Sequence, residues 1–183
     1  MIEKSNILLH ICCGICALES IKRLKQQNYK VVGHFFNPNI YPESEYLKRK
    51  QVVEKVAEIY KIRVIYDEYE PQVWENICGS YKDEPEGGER CLLCYQLRLK
   101  KTFEVALKEN FEFFTTTLTI SPHKKSNVIF EIGEQIGGKK FLKIDFKKQD
   151  GFKNTINLAK QLGLYRQNYC GCKFSLKNSI SKK

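Results

Sequence analysis

Residues 6–11, Asn-Ile-Leu-Leu-His-Ile, form a short apolar run that Cys12-Cys13-Gly14 ends abruptly. A run this short leaves no room for the ~10 residues of a buried helix, so it predicts a buried strand followed by a tight turn. Over residues 16–27 Leu18, Ile21 and Leu24 then recur at helical spacing. The unit repeats, with a strand over 31–36, a loop at Asn37-Pro38-Asn39, and a helix on which Tyr46, Val53, Ala57 and Tyr60 recur. A third strand is predicted at 64–66. Strands alternating with helices of a dozen residues need right-handed crossovers, which predicts an α/β fold: an open parallel sheet with helices on both faces.

The alternation lapses over 69–90, where Pro71, Gly79, Pro85, Gly87 and Gly88 predict a long loop or insertion, suited to a lid or to support of a metal site. It resumes with a helix over 91–109, a strand over 113–117, a helix over 128–135 closed by Gly137 and Gly138, a last strand over 141–144 and a helix over 151–164. A loop over 165–172 and a short solvated tail over 177–183 complete the chain. At 183 residues, one domain is expected.

No run approaches the ~18 apolar residues of a membrane helix, and the start lacks the longer apolar core of a secretory signal. A cytoplasmic location is expected. There structural disulfides are rare, so eight cysteines point to metal binding or redox chemistry. Cys12 and Cys13 follow the first strand, on the edge where doubly wound sheets bind ligands. Cys91 and Cys94 lie three apart on a helix and share a face. These four thiolates can hold a tetrahedral zinc or a four-iron four-sulfur cluster, and ligand type alone does not choose. Cys16 is near enough to add a ligand, and its place in the first turn of a helix predicts a lowered pKa. In Cys170-Gly171-Cys172 a disulfide across one glycine would be strained and easily reduced, so the pair suits redox work, with metal ligation as the competitor. Cys78 reads as a small buried apolar residue.

Charge is divided unevenly. Residues 1–90 carry 13 basic and 14 acidic side chains, residues 91–183 carry 18 and 7. A basic half of this kind suits a phosphate-bearing partner, while charge alone is met more simply by a solvated lysine-rich face.

Five ordered motifs resemble those of the QueH-type, cobalamin-independent epoxyqueuosine reductases. They are His10-Ile11-Cys12-Cys13-Gly14-Ile15-Cys16; Asn37-Pro38-Asn39-Ile40 with Glu45-Tyr46 and Arg49; Glu89-Arg90-Cys91 with Cys94, Tyr95 and Arg98; Thr115-Thr116-Thr117-Leu118 with Ser121-Pro122 and Lys124; and residues Tyr165-Arg166-Gln167-Asn168-Tyr169-Cys170-Gly171-Cys172. The resemblance implies a fold related to the nucleotide-binding, PP-loop-like α/β families, a [4Fe-4S] cluster on Cys12, Cys13, Cys91 and Cys94, a second iron beside it, and a redox-active pair at Cys170 and Cys172 with Cys16 close to the chemistry. It implies a tRNA anticodon stem-loop as substrate, an electron donor as further partner, and Tyr95, Arg98, Lys124, Tyr165 and Arg166 as substrate-binding residues. The departures fall at Ile15, where the family more often has proline, and at Cys16, where aspartate also occurs. A zinc-stabilised nucleic-acid-binding module without catalysis is the alternative from another class. An ATP-cleaving enzyme would need a phosphate loop after the first strand, where this chain has cysteines instead.

Overall fold

The computed structural model describes residues 5–180, with the side chains of 177–180 left undescribed. Four parallel strands, β1 (Asn6–His10), β2 (Lys30–Phe35), β3 (Val64–Tyr66) and β4 (Phe113–Thr116), form one sheet in the order β3-β2-β1-β4. Side chains alternate across β1, so the strand feeds two cores. Ile7, Leu9 and Ile11 pack with α1 (Gly14–Gln26) and α2 (Glu43–Tyr60), while Leu8 packs on the opposite face with Cys91, Tyr95 and Leu99 of α4 (Glu89–Lys108). Helices therefore cover both faces, as the alternation predicted. The first core is extended by Ala159 of α6 (Gly151–Gln161), the second by Ile129 of α5 (Ser126–Gly137).

The connection from β1 runs through α1 to β2 on one side, and β4 lies on the other. Between β1 and β4 the strand order reverses, which opens a crevice at their carboxyl ends. Cys12 and Thr117 emerge there side by side, and the Cys12 backbone N–H donates to Thr117 Oγ1 at 3.0 Å.

Two elements differ from expectation. Residues 69–90 are not mainly a loop, because Pro71 opens a helix, α3 (Pro71–Cys78), instead of breaking one; proline's missing N–H costs nothing at a first helical position. Trp74 and Cys78 bury that helix against Cys94 and Cys172. Beyond it, Arg90 Nη1 donates to the carbonyls of Tyr81, Lys82 and Glu84 and holds the remaining turns. Residues 141–144 do not form a full strand: Phe141 makes a single parallel bridge to Phe114. Ile144 then donates its N–H back to the Leu142 carbonyl, which turns the chain off the sheet. Of the expected tail, the backbone is helical to Ile180 in α7 (Lys173–Ile180), while residues 181–183 and the solvation of the tail's side chains lie outside the described residues.

Candidate active site

The crevice holds a cavity of about 370 Å³. Its walls include Cys12 and Cys16 from the first strand-to-helix turn, Arg98 from α4, Ser121, His123 and Lys124 after β4, and Arg166 to Cys170 from the segment before α7. The sulfurs of Cys12, Cys13 and Cys16 all lie within 4.8 Å of one another, and those of Cys13 and Cys16 are 2.8 Å apart. Cys13 is placed by the extended cap of α1 and Cys16 by its first turn, so one local fold gathers all three. Thr117 Oγ1 donates to the Cys12 sulfur at 3.2 Å and Gln167 Nε2 to the Cys13 sulfur at 2.9 Å.

Of the three sulfurs, Cys12 is the one whose pKa is lowered. Hydrogen bonds from Cys13 and Cys16, together with Arg98 and Thr117, hold its pKa well below the ordinary thiol value against the opposing effect of burial. The lowered pKa expected for Cys16 is corrected: hydrogen bonding within the sulfur trio, with burial, raises its pKa well above normal. Burial likewise pushes Cys13 up to about 12.

Cys91 and Cys94 start α4 and are both buried. They are not within the close trio, but Cys91 shares an apolar cluster with Leu8 and Tyr95 against which Cys12 packs. The Gly87 N–H donates to the Cys91 sulfur at 3.2 Å, so the preceding segment does support this pair. Cys94 lies with Cys78, Cys172 and Trp74, and burial pushes Cys94 up to about 11 and Cys78 up to about 12. All eight cysteines are free thiols. Cys170 lines the cavity, whereas Cys172 is buried beneath the start of α7, where the Ser175 N–H reaches its sulfur at 3.4 Å.

Of the residues expected to bind substrate, Arg98, Lys124 and Arg166 line the cavity. Burial opposes the charge of Lys124, yet Cys170, Tyr95 and Cys12 hold its pKa above the ordinary lysine value. Tyr95 is buried in the α4 core, and Tyr165 lies 40% exposed with its hydroxyl donating to Glu45 Oε2 at 2.7 Å. Arg98, almost fully buried, donates to Asn37 Oδ1 and Asn39 Oδ1, while its Nε has no partner. A buried guanidinium with a spare donor, a half-buried ammonium and a soft sulfur trio suit an anionic metal–sulfur group better than a neutral ligand.

Sequence reasoning gave no role to Thr117, Gln167 or the α6 wall of Phe152, Thr155 and Ile156. Their adjacency is tertiary and leaves no spacing signal. Glu45 and Arg49, read from the sequence only as motif residues, form an ion pair with Nε to Oε1 at 2.8 Å; their i,i+4 spacing is the signal that marks it.

Soft thiolates beside a cation-lined cavity, at the switch point of a doubly wound sheet, define a class: α/β proteins built to hold a metal group against an anionic substrate. The chain belongs to the epoxyqueuosine reductase QueH family, whose model matches residues 7–178. An epoxyqueuosine reductase QueH of Thermotoga maritima is 40% identical, the match covering 93% of this chain and 90% of that one. One from Staphylococcus epidermidis is 35% identical, over 94% and 77%. A solved structure from Methanocaldococcus jannaschii, described as a predicted subunit of tRNA methyltransferase, superposes with a TM-score of 0.57 at 14% identity, over 85% of this chain and 74% of that one; it shares the fold.

Proposed function

We propose that this chain is a cytoplasmic oxidoreductase that reduces the epoxide of epoxyqueuosine, in the anticodon loop of a tRNA, to the alkene of queuosine. Both carbon–oxygen bonds of the epoxide break, a carbon–carbon π bond forms, and two electrons and two protons carry the oxygen away as water. The observation that carries the reading, beside family membership, is the Cys12, Cys13 and Cys16 group opening on the same cavity as Cys170, Arg98 and Lys124.

Cys12, Cys13, Cys91 and Cys94 would hold a [4Fe-4S] cluster, with Cys16 available to a second iron. When bound, such a group supplies one-electron transfer and a Lewis acid for the oxygen. Lys124, kept protonated by the sulfurs around it, faces the developing negative charge on that oxygen. Cys170 and Cys172 supply two electrons and two protons as they pass from dithiol to disulfide, and an external electron donor restores them. Arg166 at the cavity wall meets phosphate, and the Tyr165 ring, with Lys48 Nζ 5.9 Å from its centroid, offers a face to an unstacked base. Tyr95 backs Lys124 from the core, and Arg98 fixes the loop after β2 beside the substrate.

The test is iron and sulfide analysis of protein purified without oxygen, for the parent and for Cys12→Ala, Cys13→Ala, Cys91→Ala and Cys94→Ala. The parent should be brown and each variant should lose iron. Full iron content and visible absorption in all four variants would overturn the ligand set, and a colourless parent containing zinc would favour the non-catalytic module.

A further inference from the structure

Cys170 and Cys172 sit at the end of a segment, 165–172, that has no regular secondary structure of its own. A redox pair on such a segment needs something else to fix it. We propose that Arg49, steered by Glu45, is the positioning residue that seats the Cys170-Gly171-Cys172 turn against the cavity. The inference rests on the reading of Cys170 and Cys172 as the pair that delivers electrons.

Arg49 is 3% exposed on the inner face of α2. Its Nε donates to Glu45 Oε1 at 2.8 Å, one helical turn back, which fixes the plane of the guanidinium. Nη1 then donates to the Cys170 carbonyl at 3.0 Å and Nη2 to the Tyr169 carbonyl at 3.2 Å. The Tyr169 ring lies 5.1 Å from the guanidinium carbon. The other oxygen of Glu45 accepts the Tyr165 hydroxyl, so one ion pair grips the segment at both ends. From the loop after β2, the Tyr41 N–H donates to the Gly171 carbonyl at 2.8 Å, and the Tyr169 hydroxyl returns a bond to the Tyr41 carbonyl.

Gly171 has φ +133°, in the region that favours glycine. A Cβ there would stand 3.1 Å from Arg49 Nη1 and 3.2 Å from Asn39 Nδ2, so the glycine lies flat against the same guanidinium. Three acceptors, each met by a different guanidinium nitrogen, call for the fork of arginine; the lysine ammonium, a single nitrogen on a flexible stem, does not span them. The seat puts Cys170 on the cavity wall with Cys12 and Cys16, and leaves Cys172 buried under α7. Arg49 lines the cavity too, but its N–H groups are turned to Glu45 and to the Cys170 and Tyr169 carbonyls, so it acts through the position of Cys170.

The experiment uses the intact iron-loaded protein and the variants Arg49→Gln, Arg49→Lys and Gly171→Ala, each checked for iron content and thermal unfolding. Two quantities are measured: the rate at which iodoacetamide alkylates Cys170 in the reduced protein, by peptide mass spectrometry, and kcat and KM for an anticodon stem-loop bearing the epoxide. Arg49→Gln and Gly171→Ala should speed Cys170 alkylation about tenfold, as loss of a charge-assisted hydrogen bond allows. They should lower kcat about 100-fold with KM within about threefold, the effect of a small misplacement of a reacting group. Arg49→Lys should fall between parent and Arg49→Gln in both. Alkylation and kcat within twofold of the parent in Arg49→Gln, or a rise in KM alone, would overturn the proposal. Should Arg49→Gln fold poorly, Gly171→Ala, which leaves the ion pair whole, decides by the same two readouts. A parent that makes no alkene refutes the functional reading, and the alkylation rates still decide the seat.

Discussion

Gly14 is the residue whose replacement most directly joins folding to the site. It opens α1 directly after Cys13, and a Cβ placed on it would stand 2.5 Å from Val52 Cγ1, 2.7 Å from the Val52 carbonyl carbon and 2.8 Å from the Val53 nitrogen. Two of the three neighbours are backbone atoms of α2, so no rotamer change relieves the contact. Restoring ordinary van der Waals distance requires α1 and α2 to part by roughly 0.7 Å, an overpacking strain of about 1–3 kcal/mol. For a domain of this size that corresponds to a fall in melting temperature of about 2–4 °C for each kcal/mol. Cys13 and Cys16 ride on the same turn, and metal–ligand distances tolerate only about 0.2 Å, so metal retention should suffer more than stability. Gly14→Ala should therefore unfold in one transition a few degrees lower while losing most of its iron, read by differential scanning fluorimetry and iron assay on the same preparation. Parent-like iron with a parent-like melting temperature would refute the reasoning.

Anticodon stem-loop binding should weaken steeply between 50 and 200 mM salt, by about 10³-fold or more if six phosphates are met; a flat response would remove nucleic acid as the partner. In metal-free protein the Cys12 thiolate persists below the pH where ordinary thiols protonate, so its alkylation should stay rapid at neutral pH while Cys13, pushed up to about 12, stays slow. The depressed Cys12 value adds stability above the unfolded thiol pKa, and that stability is lost as pH falls through the folded value; Arg98→Met should slow Cys12 alkylation by removing a cation that favours the thiolate. Changing both Cys170 and Cys172 to Ser should leave iron bound and cut multiple-turnover reduction by orders of magnitude, checked by iron content and alkene yield together; loss of iron would make them ligands.

The alternation of strand and helix was legible because each short apolar run is closed by a turn signal, as at Cys12-Cys13-Gly14, and β1 to β4 and their helices follow it. Pro71 misled because the same residue that breaks a helix interior is well placed at its first position. The run at 141–144 has strand composition, but its pairing depends on where the chain turns after Leu142, which composition does not encode. At the site, Cys12, Cys13 and Cys16 were readable as neighbours because one turn carries them. Which of the three has the lowered pKa was not readable, because it depends on how the Cys13 and Cys16 sulfurs meet Cys12 in the folded turn, with Arg98 of α4 and Thr117 after β4 adding to it. The grip of Arg49 on residues 169 and 170 spans more than a hundred positions, and only its helical partner Glu45 left a mark in the spacing.

The central claim is tested most directly by incubating anaerobically purified protein, reduced chemically, with tRNA that carries epoxyqueuosine, and analysing the nucleosides by mass spectrometry. The account predicts conversion to queuosine, the species lacking one oxygen, dependent on bound iron and absent in Cys12→Ala. Iron-loaded, tRNA-binding protein that leaves the epoxide unchanged under these conditions would contradict it.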